Sequence, residues 1–397
     1  MAYTPTAICL RADQANKGSR RQGMEDKAFW RNERVAFLAL TTVSGIGFWS
    51  LHKIAQANFG FKETLRTPGA VGVEKPLAAA GYDGESGQES LWAEGIALAR
   101  TLTGLGIRLV FKGEAEFPEK LRAIPDAPEW IFIQGLPENL GKPSVAVVGT
   151  RKPSDDGLFL TKYVLGVLAG IGCVTVSGLA LGIDQTAHIS SIRYSLPTVA
   201  VLGTGILQNY PKGSNELREE ILKAGGSIVS EYLPNQSYSA ENFVRRNRIQ
   251  AALCDVLIPA EWSIKSGTAH TVKYASKYQK RIINLFLPGT QSSRPEIPFS
   301  AAEYGASWYE VPTKTENLIL FLKSVLLGIS GSSPDSQTEH ISEIETEKTT
   351  LESLSEQDLT LHAAPKKPSQ PEQRTPSSPE PESDPDSPNG PGQLPLI

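Results

Sequence analysis

Cysteine is scarce in this 397-residue chain: only Cys9, Cys173 and Cys254, far apart in sequence. That spacing excludes a disulfide framework and the paired-cysteine pattern of a zinc site. It fits a reducing compartment, so a cytoplasmic protein is expected. Cys173 and Cys254 sit in apolar runs and read as buried packing residues. No run is long enough for a membrane span, and no apolar stretch follows the basic N-terminus as a secretory signal requires. A Walker lysine loop, a nucleophile elbow and a cluster with metal-ligand spacing are also missing. No catalytic residue, metal or cofactor is expected.

Net positive charge is lacking too. The chain has 39 Lys+Arg against 43 Asp+Glu, a formal charge of −4. The sum hides a division. From Gly331 onward 13 acidic side chains face 4 basic ones, so this segment carries about −9 and the remainder about +5. The same segment has no aromatic residue and is rich in Pro, Ser and Glu. Such a composition buries too little apolar surface to offset its ordering entropy, so residues 329–397 are expected to be a disordered acidic tail. A weak helical stretch at Ile344–Leu361 is allowed for within it.

What remains reads as a leader and two folded parts. Residues 1–26 are polar and irregular, an expected disordered leader. Residues 27–104 read as a small helical domain. Phe29, Trp30, Val35, Phe37, Leu38 and Leu40 recur at helical spacing. Val43-Ser44-Gly45-Ile46-Gly47 interrupts, and a second amphipathic stretch runs from Phe48 to Ala57. Two helices joined by Gly-Ile-Gly resemble a helix-hairpin-helix, whose turn can contact a phosphate. The plainer reading is a tight turn that needs glycine. Thr67–Gln88 reads as a glycine-rich loop, and Leu91–Leu102 as a further helix.

From Ile107 the period changes to strands alternating with helices. Strands are expected at Ile107–Phe111, Trp130–Ile133, Val145–Val148, Val174–Ser177, Thr198–Leu202, Ser227–Val229, Val256–Pro259 and Ile282–Leu287. Helices fall between most of them, and a last one at Asn317–Leu327. This predicts an extended Rossmann-like, doubly wound and mostly parallel α/β sheet over residues 105–328. Loops after the parallel strands then share one sheet edge, where such folds bind ligands.

That edge is rich in anion-binding chemistry. Gly149 ends one strand, with Arg151 two residues on, able to grip a phosphate bidentately. Ser177 and Gly178 end the next, and Asp184 opens the following helix as its cap or as a brace for the loop. Gly203-Thr204-Gly205 follows a third strand, with Tyr210 and Lys212 beyond. Lys212 offers a point charge; Tyr210 either stacks on a base or packs on Pro211. Asn242, Arg245, Arg246, Asn247 and Arg248 crowd a helix start. Their like charges repel unless acids or anions are near, so at least one arginine is expected to contact an anion. Ser266, Gly267 and Thr268 open another helix and form an anion nest. Glu261 is expected to accept from a sugar hydroxyl or to pair with an arginine. His188 and His270 read as structural.

Taken together these segments resemble the DNA-processing protein A family (DprA, also called Smf). The resemblance is carried by VAVVGTRKPS (Val145–Ser154), SGLALGID (Ser177–Asp184) with His188, VAVLGTGILQNYPK (Val199–Lys212), NFVRRNRIQA (Asn242–Ala251), KSGTAHT (Lys265–Thr271) and LPG (Leu287–Gly289). The helical Val43–Gly47 region is also similar to the family's N-terminal, SAM-like module. The resemblance implies a non-enzymatic homodimer that binds single-stranded DNA without sequence preference. It further implies loading of RecA recombinase during natural transformation or recombination. On this chain the implied DNA-phosphate pocket is Gly149, Arg151, Ser177, Gly178, Lys212, Asn242, Arg245, Arg246, Asn247, Ser266 and Gly267, to which the nest adds Thr268. Leu181 departs from the family's Arg or Lys, Thr150 replaces its usual Ser, and the acidic tail stands where many members have a winged helix.

Two further readings follow from the residues. Gln393, Leu394, Leu396 and Ile397 look like the peptide that docks bacterial replication factors on the sliding clamp, here on a flexible tether. The Gly-Thr nest also occurs in nucleotide enzymes or sensors of related fold. Their phosphoribohydrolase signature ends in a Glu, where this chain has Thr271.

Overall fold

The computed structural model describes residues 26–328. The expected leader (apart from Asp26), the acidic tail from residue 329 and the clamp-like Gln393–Ile397 peptide lie outside the described residues. Helix α1 spans 26–42. Helices α2 (Phe48–Gln56), α3 (Phe61–Arg66), α4 (Glu74–Ala79) and α5 (Glu85–Gly104) follow. Thr67–Gln88 is therefore not a plain loop. It holds a 3-10 turn at Pro68–Val71, all of α4 and the first turn of α5. Leu77 is the one buried residue of α4, which leaves no apolar period to read.

A nine-stranded sheet follows: β1 (Ile107–Phe111), β2 (Trp130–Gly135), β3 (Ser144–Gly149), β4 (Val174–Ser177), β5 (Thr198–Val201), β6 (Ser227–Ser230), β7 (Val256–Glu261), β8 (Arg281–Phe286) and β9 (Ser307–Glu310). Its order is β1-β2-β6-β5-β4-β3-β7-β8-β9. The strands from β6 to β9 run parallel, and β1 and β2 are antiparallel additions at one edge. The order reverses between β3 and β7, which is the topological switch point of a doubly wound sheet.

The connections are α6 (Glu119–Arg122), α7 (Asp155–Ala169), α8 (Ile183–Arg193), α9 (Asn215–Lys223), α10 (Ala240–Leu253), α11 (Gly267–Lys277), α12 (Glu296–Tyr304) and the closing α13 (Thr315–Leu327). Strand alternation sorts them into two layers. Val145 and Val147 of β3 join the core under α7, α8 and α13. Ala146 and Val148 join the core under α10 and α11. Both faces of β3 are thus buried, as its unbroken apolar run requires.

Neither α12 nor β9 is legible in the sequence. Pro298 reads as a breaker, but it sits in the first turn of α12, where a missing N–H is harmless. Strand β9 is four residues long and mostly half-buried.

The N-terminal helices share a core with the sheet face beside α9. Phe37 packs on Phe61, Phe111 and Trp130, with ring centroids 5.0, 5.6 and 4.8 Å away. Trp130 Nε1 donates to the Glu231 carbonyl at 2.7 Å, so its one polar atom is satisfied in the core. Phe48 of α2 lies 5.4 Å from Trp130 and 5.5 Å from Tyr232, whose hydroxyl donates to the Asn242 carbonyl, so α2 is held beside the start of α10. Cys173 and Cys254 are buried, and burial pushes both thiols up to about 12. Among the described residues, no helix is long and apolar enough to cross a membrane.

Candidate nucleic-acid interface

The C-terminal ends of β3 and β7 open onto a cleft of ≈ 500 Å³. Its first wall is the loop after β3. Thr150 N–H donates to the Glu261 carbonyl at 2.8 Å, and Ile183 N–H to the Thr150 carbonyl at 3.2 Å. The loop is thereby clamped between β7 and α8, and Gly149, Arg151 and Lys152 line the opening. Arg151 is exposed, its guanidinium 5.4 Å from the centroid of the Phe243 ring. Glu261 has no arginine partner among the described residues. Its carboxylate accepts from Ser154 N–H at 2.9 Å, at the N-terminus of α7. An anion is already there.

The second wall is α11. Ser266 caps it without a side-chain bond to the helix, and no acidic residue stands in its first turn. The Ser266 hydroxyl instead donates to the Ser263 carbonyl at 2.7 Å, shaping the loop. An added Cβ at Gly267 meets nothing within 4 Å, so the space over this helix start is open. Unpaired N–H groups and the positive end of the helix dipole face the cleft there.

The floor is built by α10, which Ser239 caps by accepting from Asn242 N–H at 3.1 Å. Arg246 is buried beneath the cleft and donates to the Val201 carbonyl at 2.8 Å, yet its Nε has no hydrogen-bond partner among the described residues. Burial lowers its pKa, and Asp184 opposes that shift. A guanidinium nonetheless stays charged. Asn247 donates to the Gly267 carbonyl at 3.0 Å. Gln250, with its amide turned to satisfy both neighbours, accepts from Gly178 N–H at 2.9 Å and donates to Asn247 Oδ1 at 3.0 Å.

Two glycines make this packing possible. An added Cβ at Gly178 would collide with Arg246 Nη1, and would lie 2.6 Å from Asp184 Oδ2. Gly182 has φ +82°, and a Cβ there would lie 2.5 Å from the Thr150 carbonyl oxygen. Asp184 braces the loop by accepting from Gly178 N–H at 3.1 Å. Burial raises its carboxyl, against the pull of Arg246 and the N–H donors. His188 is fully buried, with Nδ1 2.8 Å from Thr198 Oγ1. Burial, with Arg246 adding, pushes it down to about 3, so it is neutral at physiological pH.

The cleft thus gathers Gly149, Arg151, Arg246, Asn247, Ser266, Gly267 and Thr268. The other expected residues lie elsewhere. Ser177 is buried, its hydroxyl donating to the Val147 carbonyl at 2.7 Å, so it supports the floor. Gly178 makes room for Arg246. Lys212 is exposed but does not line this cleft. Asn242 and Arg245 face a different cleft, toward α2. Arg245 Nε lies 3.2 Å from Glu231 Oε1. Arg248 binds the same buried carboxylate at 2.5 and 3.0 Å.

An aromatic platform flanks the cleft. Tyr210 lies 4.6 Å from Tyr238 and 5.2 Å from Phe243, ring centroid to centroid. Phe243 lines the cleft, and Tyr238 is 48% exposed. Tyr210 therefore packs on these rings. Tyr238 lies outside the sequence motifs and Phe243 lies within one without an assigned role, although aromatic residues interleaved with arginines are the signal for both.

The family model described as DNA recombination-mediator protein A matches residues 108–311, about half of the chain. The chain belongs to this family. Protein Smf of Synechocystis sp. is 38% identical over 176 residues, 43% of this chain and 44% of that protein. DNA processing protein DprA of Streptococcus pneumoniae is 39% identical over 163 residues, 40% of this chain and 56% of that protein. The chain thus spans about half the length of the curated relatives it matches. A solved structure of DNA processing protein A from Helicobacter pylori, described for its single-stranded DNA binding mode, is 28% identical with a TM-score of 0.47. It covers 54% of this chain and 95% of that one.

Proposed function

We propose that this protein binds single-stranded DNA without sequence preference and acts as a recombination mediator. The observation that carries the reading is the switch-point cleft, where Arg151, Arg246 and the open start of α11 converge beside the Tyr210–Tyr238–Phe243 platform. Two guanidinium groups and a helix dipole suit successive phosphates. Aromatic faces suit unpaired bases of any sequence.

Family membership extends the proposal. The protein is a binding module rather than an enzyme, works in the cytoplasm as a homodimer, and hands its strand to RecA during transformation or recombination. Lys212 joins the track from beyond Tyr210. The helical part (27–104) and the Rossmann-like part (105–328) are read as successive domains on a common core.

Fluorescence anisotropy with labelled oligo(dT) tests the binding at two salt concentrations. Arg151→Ala with Lys212→Ala should weaken binding alike for all base compositions, and wild-type binding should fall with salt because counterion release gains less at higher salt. A folded double variant with wild-type affinity would overturn the assignment.

A further inference from the structure

The side of α10 away from the Gly149 cleft borders a second cleft, of ≈ 710 Å³. Asn242 and Arg245 face it from α10, Gln236 from the preceding loop, and Gly47, Phe48 and Trp49 from the start of α2. These last residues end the Gly-Ile-Gly hairpin of the sequence, which the proposed function leaves without a role.

The chemistry here is that of a stacking site. The Arg245 guanidinium lies 4.3 Å from the Trp49 ring centroid and 5.0 Å from that of Phe48. Glu231, itself 2% exposed, holds Arg245 from behind. Phe48 is buried and meets Trp49 edge-on at 5.3 Å, so the indole has a fixed seat. Trp49 is nevertheless 49% exposed. A large aromatic surface is held rigidly at an open cleft beside a planar cation. Both groups take a nucleobase on a flat face, and both tolerate any base.

Position supplies the second argument. Phe243, Arg246 and Asn247 face the first cleft, while Asn242 and Arg245 face the second. One helix, about 10 Å across, separates them. That is a few nucleotides of extended strand. We infer that Trp49 and Arg245 form a base-stacking subsite, which carries a single strand from the Gly149 cleft across the start of α10 onto the N-terminal helices. The inference rests on the proposed function, since the occupant is the same strand.

The test uses the full chain and anisotropy with oligo(dT) of increasing length. Wild-type affinity should rise once an oligomer reaches past α10. Replacing the bases of that added segment by abasic residues should remove the rise. Trp49→Ala should cut the rise by about tenfold, the scale of one stacked base, and Trp49→Phe should keep part of it. Arg151→Ala should weaken every length. Equal weakening of all lengths by Trp49→Ala, or a rise that abasic residues leave intact, would overturn the subsite while Arg151→Ala still weakens binding. Were Arg151→Ala also without effect, the proposed function itself would fail. If Trp49→Ala does not fold, Trp49→Phe and the abasic strand decide.

Discussion

Helix α10 buries two arginines two residues apart and treats them in opposite ways. Arg248 is enclosed. Glu231 takes both its terminal nitrogens at 2.5 and 3.0 Å, the Asp126 carbonyl takes its Nε at 3.0 Å, and neither charged group is more than 3% exposed. Arg246 lies next to Asp184 and His188; its Nη1 donates to the Val201 carbonyl at 2.8 Å and to the turned Gln250 amide oxygen at 3.3 Å, and its Nε has no partner among the described residues. A fully paired buried cation is architecture. A partly paired one beneath an open cleft is, on the proposed function, the cation that answers a phosphate, because a buried donor without a partner is costly. The same side chain two residues apart is thus fully paired at one position and only partly paired at the other.

The largest effect expected breaks the paired side. Glu231→Ala strands the buried Arg248 and should lower unfolding stability by about 3–5 kcal/mol, read as a shift in the urea midpoint. The next breaks the open side. Arg246→Gln should weaken oligo(dT) binding by about 10–100-fold, the worth of a hydrogen bond to a charged group. It should move the urea midpoint less than Arg248→Gln does. Equal destabilisation by the two would erase the distinction drawn between them.

Proton linkage sharpens the comparison. The folded His188 takes a proton only near pH 3, whereas the unfolded chain takes it below the ordinary 6.5. Its contribution is therefore complete above pH 6.5 and is lost as pH falls, by about 2 kcal/mol between pH 6.5 and 5. His188→Gln should flatten urea midpoints across that range. A variant as acid-sensitive as the wild type would refute the linkage. The smallest effect is at the exposed rim. Arg151→Ala should reduce DNA affinity by about fivefold and leave the urea midpoint in place.

Much of this molecule was legible before its coordinates. The change of period at Ile107 and the glycine-ended strands at Gly149 and Gly178 located the doubly wound sheet and the edge where its cleft opens. The fates of Arg245, Arg246 and Arg248 were not legible. Glu231 precedes them by 14 to 17 residues, and Asp184 and Trp49 lie on α8 and α2, which only the packing of the whole sheet and its N-terminal helices brings against α10. Ser177 has the residue type of a phosphate ligand, yet the β4 register gives its hydroxyl to Val147. Helix α4 and strand β9 bury too few side chains to impose a period.

The most direct test of the cleft is the slope of log affinity for oligo(dT) against log salt concentration, measured for the wild type and for the combined Arg151→Ala and Arg246→Gln variant. Two lost phosphate contacts should make the slope shallower by about 1.4 units, along with lower affinity. A folded variant with the wild-type slope and affinity would contradict the account.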